Sequence, residues 1–297
     1  MSTTGTPTAA QWLAGARPRI WPIAIAPVVV GTGLAGLEGG LRPLLAVLAL
    51  VVSLALDIGV NYANDYSDGI RGTDADRVGP MRLVGSGIAR PAAVKRAAFL
   101  AFGVAAVAGL AAVVLSGLWW LLLVGAASVL AAWYYTGGRR PYGYLGLGEV
   151  FVFVFFGLVA VCGTVLIQTG RITGVTVLGA VQAGLLATAA LVANNLRDIP
   201  GDQVAGKRTL ATRLGDRGTR TFYVGLQLGA AVLVVLIAAL SGAWWALLGL
   251  AGPLAAGRAI RLVLRGALGR ELIPVLKDTS LAMLIGAVGL AAGLLIG

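Results

Sequence analysis

The sequence predicts an all-α membrane protein: about nine transmembrane helices forming a bundle around a central cavity open to the cytoplasmic side. Three observations carry that prediction. Of 297 residues, 58% are hydrophobic and only 12% charged, with a mean hydropathy of +0.90, which is not the composition of a water-soluble domain. The apolar residues gather into about nine stretches, each near the roughly 20 residues that a spanning helix requires. These runs are too long for membrane-barrel strands and lack their alternation.

Residues 1–15, rich in Thr, Ala and Gly, are expected to form a mobile or interfacial tail, leaving a single transmembrane domain over 16–297. The first span lies near 20–37. It is too long for the apolar core of a secretory signal and no clear cleavage site follows it, so it is read as retained. Within it, Gly31-Thr-Gly33-Leu-Ala-Gly36 matches a dinucleotide-binding fingerprint in form. No strand precedes it, and close helix packing is the better explanation. The second span is near 41–63. The third and fourth, 97–116 and 118–136, are joined by the short turn Ser116-Gly117. The fifth and sixth occupy 146–168 and 173–195. The seventh and eighth, 220–240 and 242–263, meet at Ser241-Gly242, and the ninth is 276–297.

With the amino terminus placed in the cytoplasm, 21 of the 23 Lys and Arg residues fall on the inner side, and only Arg42 and Arg171 fall outside. That bias satisfies the positive-inside rule. The formal charge of +11 is then mostly topology beside a lipid bilayer, and no nucleic-acid partner is needed to explain it.

The chain contains no histidine, which excludes a Ser-His-Asp triad, a His-ligated zinc or copper site and a proximal-His haem. Its single cysteine, Cys162, sits in an apolar stretch, so an intrachain disulfide and cysteine-rich metal sites are excluded as well. Any metal must be held by oxygen.

Six of the twelve acidic residues fall in two short segments, 65–76 and 198–202, where a random spread would place fewer than one. The first reads Asn61-Tyr-Ala-Asn64-Asp65-Tyr-Ser-Asp68 and continues to Asp74 and Asp76, directly after the second span. The second reads Asn194-Asn-Leu-Arg-Asp198-Ile-Pro-Gly-Asp202, directly after the sixth. Both emerge on the cytoplasmic face. On a continuing helix Asn61, Asp65 and Asp68 stand at i, i+4 and i+7 on one face, with Asp57 one turn deeper. Asn194 and Asp198 repeat the spacing of four. Pro200 lacks an amide proton, so that helix is expected to kink or end there, leaving Asp202 on a loop. Carboxylates crowded at a membrane mouth repel unless positive charge lies between them. Oxygen-only ligands suit Mg²⁺, which commonly binds through one or two carboxylates plus substrate phosphates. Two such facing clusters describe a diphosphate clamp.

At these residues the sequence resembles the UbiA superfamily of intramembrane prenyltransferases. Four ordered blocks carry the resemblance over nearly the whole chain: the two aspartate segments, Arg139-Arg-Pro-Tyr-Gly-Tyr-Leu-Gly-Leu-Gly-Glu149, and Gly206-Lys-Arg-Thr-Leu-Ala-Thr-Arg-Leu-Gly215. Within the superfamily they look most like the branch that prenylates 1,4-dihydroxy-2-naphthoate in menaquinone synthesis. Many relatives carry a further aspartate where this chain has Gly72, with Asp74 and Asp76 slightly beyond, so the ligand set is taken as Asp65, Asp68, Asp198 and Asp202.

The resemblance implies a chemistry. Mg²⁺ held by those four aspartates neutralises the diphosphate of a polyprenyl diphosphate and promotes C–O ionisation. The allylic cation is attacked by the ring carbon bearing the naphthoate carboxylate, with loss of carbon dioxide and a proton, to give demethylmenaquinol. Lys207, Arg208, Arg139 and Arg140 are candidates for diphosphate oxygens or the acceptor carboxylate. Asn61 and Asn194 are candidates to donate to phosphate or to orient an aspartate. Tyr142, with Tyr62, Tyr66 and Tyr134, lies near the inner face, where aromatic rings can shield a cation or form an ordinary interfacial belt. The run from Phe151 to Phe156 is open to two readings, prenyl groove or lipid-facing surface. Competing functions are a relative using another aromatic acceptor and a secondary transporter, whose ionisable groups would lie deep in the bilayer.

Overall fold

The computed structural model describes residues 7–72, 81–139 and 141–297. Arg140, Asp74 and Asp76 lie outside the described residues. The described chain is helical throughout, with no strand. The helices are α1 (Ala9–Ile20), α2 (Pro22–Leu37), α3 (Pro43–Arg71), α4 (Pro91–Ser116), α5 (Leu121–Tyr134), α6 (Gly148–Thr169), α7 (Gly174–Val204), α8 (Leu210–Ser241), α9 (Trp244–Leu264) and α10 (Gly269–Ile296). Proline occupies the first turn of α2, α3 and α4, where its missing N–H has no intrahelical partner to lose.

Among the described residues seven helices are long and apolar enough to cross a membrane, eight if α1 and α2, bent by 51° at their junction, count as one span. The difference from nine has a geometric reason. The 16 residues of α2 and the 14 of α5 rise only about 24 and 21 Å, short of a hydrocarbon core about 30 Å thick. By contrast α3 with 29 residues and α7 with 31 rise about 43 and 46 Å. Their polar carboxyl-terminal turns therefore extend past the apolar layer. Residues 9–15, expected to belong to a tail, form a helix capped by Thr8 and Gln11 and docked on α3, with the Tyr62 hydroxyl donating to the Trp12 carbonyl at 2.8 Å.

Packing is pairwise: α3 against α4, α7 against α8, and α10 against α2. The last pair uses the glycine-rich stretch of the first span. A Cβ on Gly33 would stand 2.5 Å from the Ala291 Cα, so this motif is a close helix contact. A further departure from expectation concerns the second acidic segment. Helix α7 runs through Pro200 to Val204, because a proline in the last turns removes one backbone hydrogen bond while the neighbouring ones persist. Asn194, Asp198 and Asp202 are thus on one helix. Helix α3 ends at Gly72 in the left-handed conformation (φ 73°), a cap that glycine provides without a Cβ clash.

At the end remote from these acids, Arg171 pairs with Glu38 at 3.3 Å, and the Thr173 hydroxyl donates to the same carboxylate at 2.8 Å. That network ties the α2–α3 link to the start of α7.

Candidate active site

The carboxyl-terminal halves of α3 and α7 face each other across a cavity of about 970 Å³, closed by the end of α1 and the start of α2, by residues 135–136 and 143–144 and by the start of α10. From α3 the lining residues include Asp57, Val60, Asn61, Asn64 and Asp68; from α7 they include Asn194, Arg197, Asp198 and Asp202. The two acidic segments therefore converge.

The face that α3 turns to the cavity keeps Asp57, Asn61 and Asp68 of the one its spacing suggested, adds Asn64 and leaves out Asp65. Each helical residue advances about 100°, so Asn64 and Asp68 share a face that Asp65 leaves. Asp65 is only 1% exposed and does not line the cavity. Its two carboxylate oxygens accept the backbone amides of Leu83 at 2.7 Å and Val84 at 2.9 Å. The geometry makes Asp65 an anchor for the 81–86 segment, a correction to its expected place among the metal-facing groups. The pair at the cavity is Asn64 and Asp68, the same spacing of four as Asn194 and Asp198. That repeat was visible in the sequence, but Asn61 and Asp65 show it equally.

Each cavity carboxylate has a cationic neighbour. Arg82, brought in by the segment that Asp65 anchors, lies 3.5 Å from Asp68, and the Tyr144 hydroxyl also donates to Asp68. Arg197, whose side chain is 1% exposed, grips Asp198 with two bonds of 2.7 and 2.9 Å and donates to the Asn194 side-chain oxygen at 2.8 Å. Lys207 stands 3.8 Å from Asp202 and 4.5 Å above the Tyr144 ring. Asn64 accepts the Thr136 hydroxyl at 2.7 Å. Sequence reasoning passed over Asn64, Arg82, Tyr144 and Arg197. No local pattern marks Arg82, Tyr144 sits within the Arg139–Glu149 block without a feature that singles it out, and Arg197 read as one of many inner-face arginines.

Other predicted residues stand elsewhere. The Arg208 and Arg139 side chains are exposed and outside the cavity wall; Arg208 contributes its backbone N–H to the Tyr144 carbonyl at 3.0 Å. Tyr142 lines a second, apolar space, where its ring stacks on Phe151 at 3.9 Å between centroids and its hydroxyl donates to the Ala131 carbonyl at 2.8 Å. Burial pushes the Tyr142 hydroxyl above its ordinary range, so it stays neutral.

This second space is a groove of about 710 Å³ between α3, α4, α5 and α6. It shares Val60, Tyr135, Val152 and Phe156 with the polar cavity. A π-helical stretch over Phe153–Val159 interrupts α6. It leaves Phe151, Phe155 and Phe156 on the groove, whereas Phe153 packs on Gly184 of α7. The polar cavity and the apolar groove thus share a wall.

Residues 24–272 match the UbiA prenyltransferase family. The chain belongs to that family. Among its relatives, the 1,4-dihydroxy-2-naphthoate octaprenyltransferase of Mycobacterium tuberculosis is 54% identical over 97% of this chain and 98% of its own length. The Escherichia coli protein of the same name is 40% identical over 90% and 89%. A solved UbiA homologue from Archaeoglobus fulgidus bound to GPP and Mg²⁺ superposes with a TM-score of 0.61 at 13% identity, covering 94% of this chain and 99% of that one. At that identity the likeness speaks for the fold.

The donor chemistry of this UbiA-family cavity fits Mg²⁺. Its carboxylate and amide oxygens are hard ligands, and no histidine exists to compete. Among the described residues no group of three His, Cys, Asp or Glu side chains lies close enough to hold an ion by itself.

Proposed function

We propose that this membrane prenyltransferase transfers a polyprenyl group from polyprenyl diphosphate to 1,4-dihydroxy-2-naphthoate in menaquinone biosynthesis, releasing carbon dioxide and diphosphate and yielding demethylmenaquinol. The observation that carries the residue assignment is the convergence of Asn64 and Asp68 with Asn194, Asp198 and Asp202 on one cavity that shares a wall with an apolar groove. The names carried by the 54% and 40% identical relatives support the acceptor and the donor.

Asp68, Asp198 and Asp202 would hold Mg²⁺, which would supply positive charge that favours departure of the diphosphate. Arg82 and Lys207 border the same cavity and contact the diphosphate directly, Arg82 as a fork and Lys207 as a point charge. Arg197 keeps Asp198 aimed into the cavity through its paired bonds. Asn64 and Asn194 orient the neighbouring carboxylates or donate to phosphate. The prenyl chain lies along the groove past Tyr135, Phe155 and Phe156, which excludes water from the allylic carbon and offers aromatic faces to developing positive charge. The C–O bond breaks with its electron pair going to diphosphate. The carboxyl-bearing ring carbon forms the new C–C bond, and departure of carbon dioxide returns electrons to the ring.

The mouth opens to the cytoplasm of a cell membrane, a placement supported by the 21 basic residues assigned to that side. The purified protein in phospholipid nanodiscs, given a polyprenyl diphosphate, Mg²⁺ and 1,4-dihydroxy-2-naphthoate, is expected to form a quinol whose mass shows prenylation and loss of carbon dioxide. Preferential prenylation of 4-hydroxybenzoate, or no product with either acceptor, overturns the assignment.

A further inference from the structure

Asp57 has no part in the diphosphate site. It lies 11 residues before Asp68 on α3, about 16 Å deeper along the helix axis. It nevertheless lines the same cavity and is 6% exposed. Across from it at similar depth are Ala187, Ala190 and Leu191 of α7, with Ile23 and Phe156 completing an apolar recess.

A carboxylate at that depth requires a reason, because ionisable groups inside a span are costly unless paired or used. An interhelical clamp would be one reason. Among the described residues, however, its side-chain hydrogen bond comes from Asn61 of the same helix, one turn away, to Oδ2 at 3.2 Å. Such a bond joins no two helices. Arg17, at the break between Gly15 and Pro18 within α1, lines the cavity too, and its positive charge offsets that of Asp57. The backbone of Arg17 is left-handed (φ 55°), the one such non-glycine conformation among the described residues, which costs energy unless the surrounding fold holds it. A strained turn thus brings a cation to the recess that holds the carboxylate, while one Asp57 oxygen is left for a donor from the cavity.

We propose that Asp57 binds the aromatic acceptor by accepting a hydrogen bond from a ring hydroxyl, fixing which ring carbon meets the allylic carbon held at the mouth. The inference rests on the prenyltransferase reading above. An aromatic diol offers a second donor, which Asp57 does not receive from a side chain among the described residues, and its flat ring matches walls of alanine, leucine, isoleucine and phenylalanine. Recognition of this kind discriminates strongly, since an acceptor without the hydroxyl leaves a buried carboxylate unsatisfied.

The test combines protein and substrate changes. Steady-state kinetics are measured for wild type and Asp57→Asn in nanodiscs with 1,4-dihydroxy-2-naphthoate and with each of its two monomethyl ethers; binding of a non-reactive thiodiphosphate analogue of the donor is measured in parallel. In wild type at least one ether is expected to lose about tenfold or more in kcat/KM. Asp57→Asn is expected to lose a similar factor with the parent acceptor, to show little further loss with that ether, and to bind the donor analogue within about twofold of wild type. The inference is overturned if wild type uses both ethers as well as the parent, a result that needs no folded variant. It is also overturned if the ether penalty persists undiminished in Asp57→Asn. Because wild-type turnover of the naphthoate is recorded in the same experiment, failure of the Asp57 inference is distinguished from failure of the functional assignment.

Discussion

Replacing Asp65 with asparagine separates an anchor from a ligand. Asp65 accepts two backbone amides, at 2.7 and 2.9 Å, while almost wholly buried. Hydrogen bonds to a charged group contribute about 1.5–3 kcal/mol each. Asparagine keeps one acceptor oxygen, turns an NH₂ group toward the second amide and loses the charge. The expected loss is about 2–3 kcal/mol, a roughly 30- to 150-fold shift toward an open 81–86 segment. Because that segment carries Arg82 to within 3.5 Å of Asp68, donor KM rises and amide exchange over 81–86 accelerates, while the Mg²⁺ concentration for half-maximal activity stays within about threefold of wild type. Asp68→Asn, by contrast, raises the Mg²⁺ requirement about tenfold or more and leaves exchange over 81–86 near wild type. Hydrogen-exchange mass spectrometry and Mg²⁺ titration of turnover read the two effects separately. Unchanged exchange in Asp65→Asn, with a Mg²⁺ requirement raised as far as in Asp68→Asn, refutes the anchoring role.

Asp198→Asn removes the counter-ion of the buried Arg197 along with a proposed metal ligand; turnover is expected to fall about a hundredfold or more, and near-normal quinol formation contradicts the site. Gly33→Val drives a side chain into Ala291 across a 2.5 Å approach and is expected to cost about 1–3 kcal/mol; a melting temperature in detergent equal to wild type counts against this α2–α10 contact. The Tyr142 hydroxyl, pushed up by burial from an ordinary value of 10, favours folding below about pH 10, and that contribution is lost as pH rises through the higher folded-state value. Thermal stability should therefore be insensitive to this group from pH 6 to 9 and fall above about pH 10, with Tyr142→Phe flattening the alkaline limb; an identical limb in the variant rules the group out.

Composition and run length alone determined that the chain is a helical membrane protein, because the bilayer demands long apolar segments with their backbone bonds satisfied internally. The two acidic segments, their spacing and their shared side of the membrane were equally legible, as was the packing role of Gly33. Helical phase was not. Asn61, Asn64, Asp65 and Asp68 all fall within an arc that a spacing rule treats as one face, and the packing of α3 against α4 decided that Asn64 and Asp68 look into the cavity while Asp65 looks at the 81–86 segment. Tyr144 and the start of α10 come from chain far from either motif, and Arg82 follows the first by a stretch that must double back, so only the closed bundle brings them to the mouth. Pro200 shows the same limit from the other side: its local preference is to end a helix, and the surviving backbone bonds of α7 override it, carrying Asp202 to the cavity on the same rigid helix as Asp198.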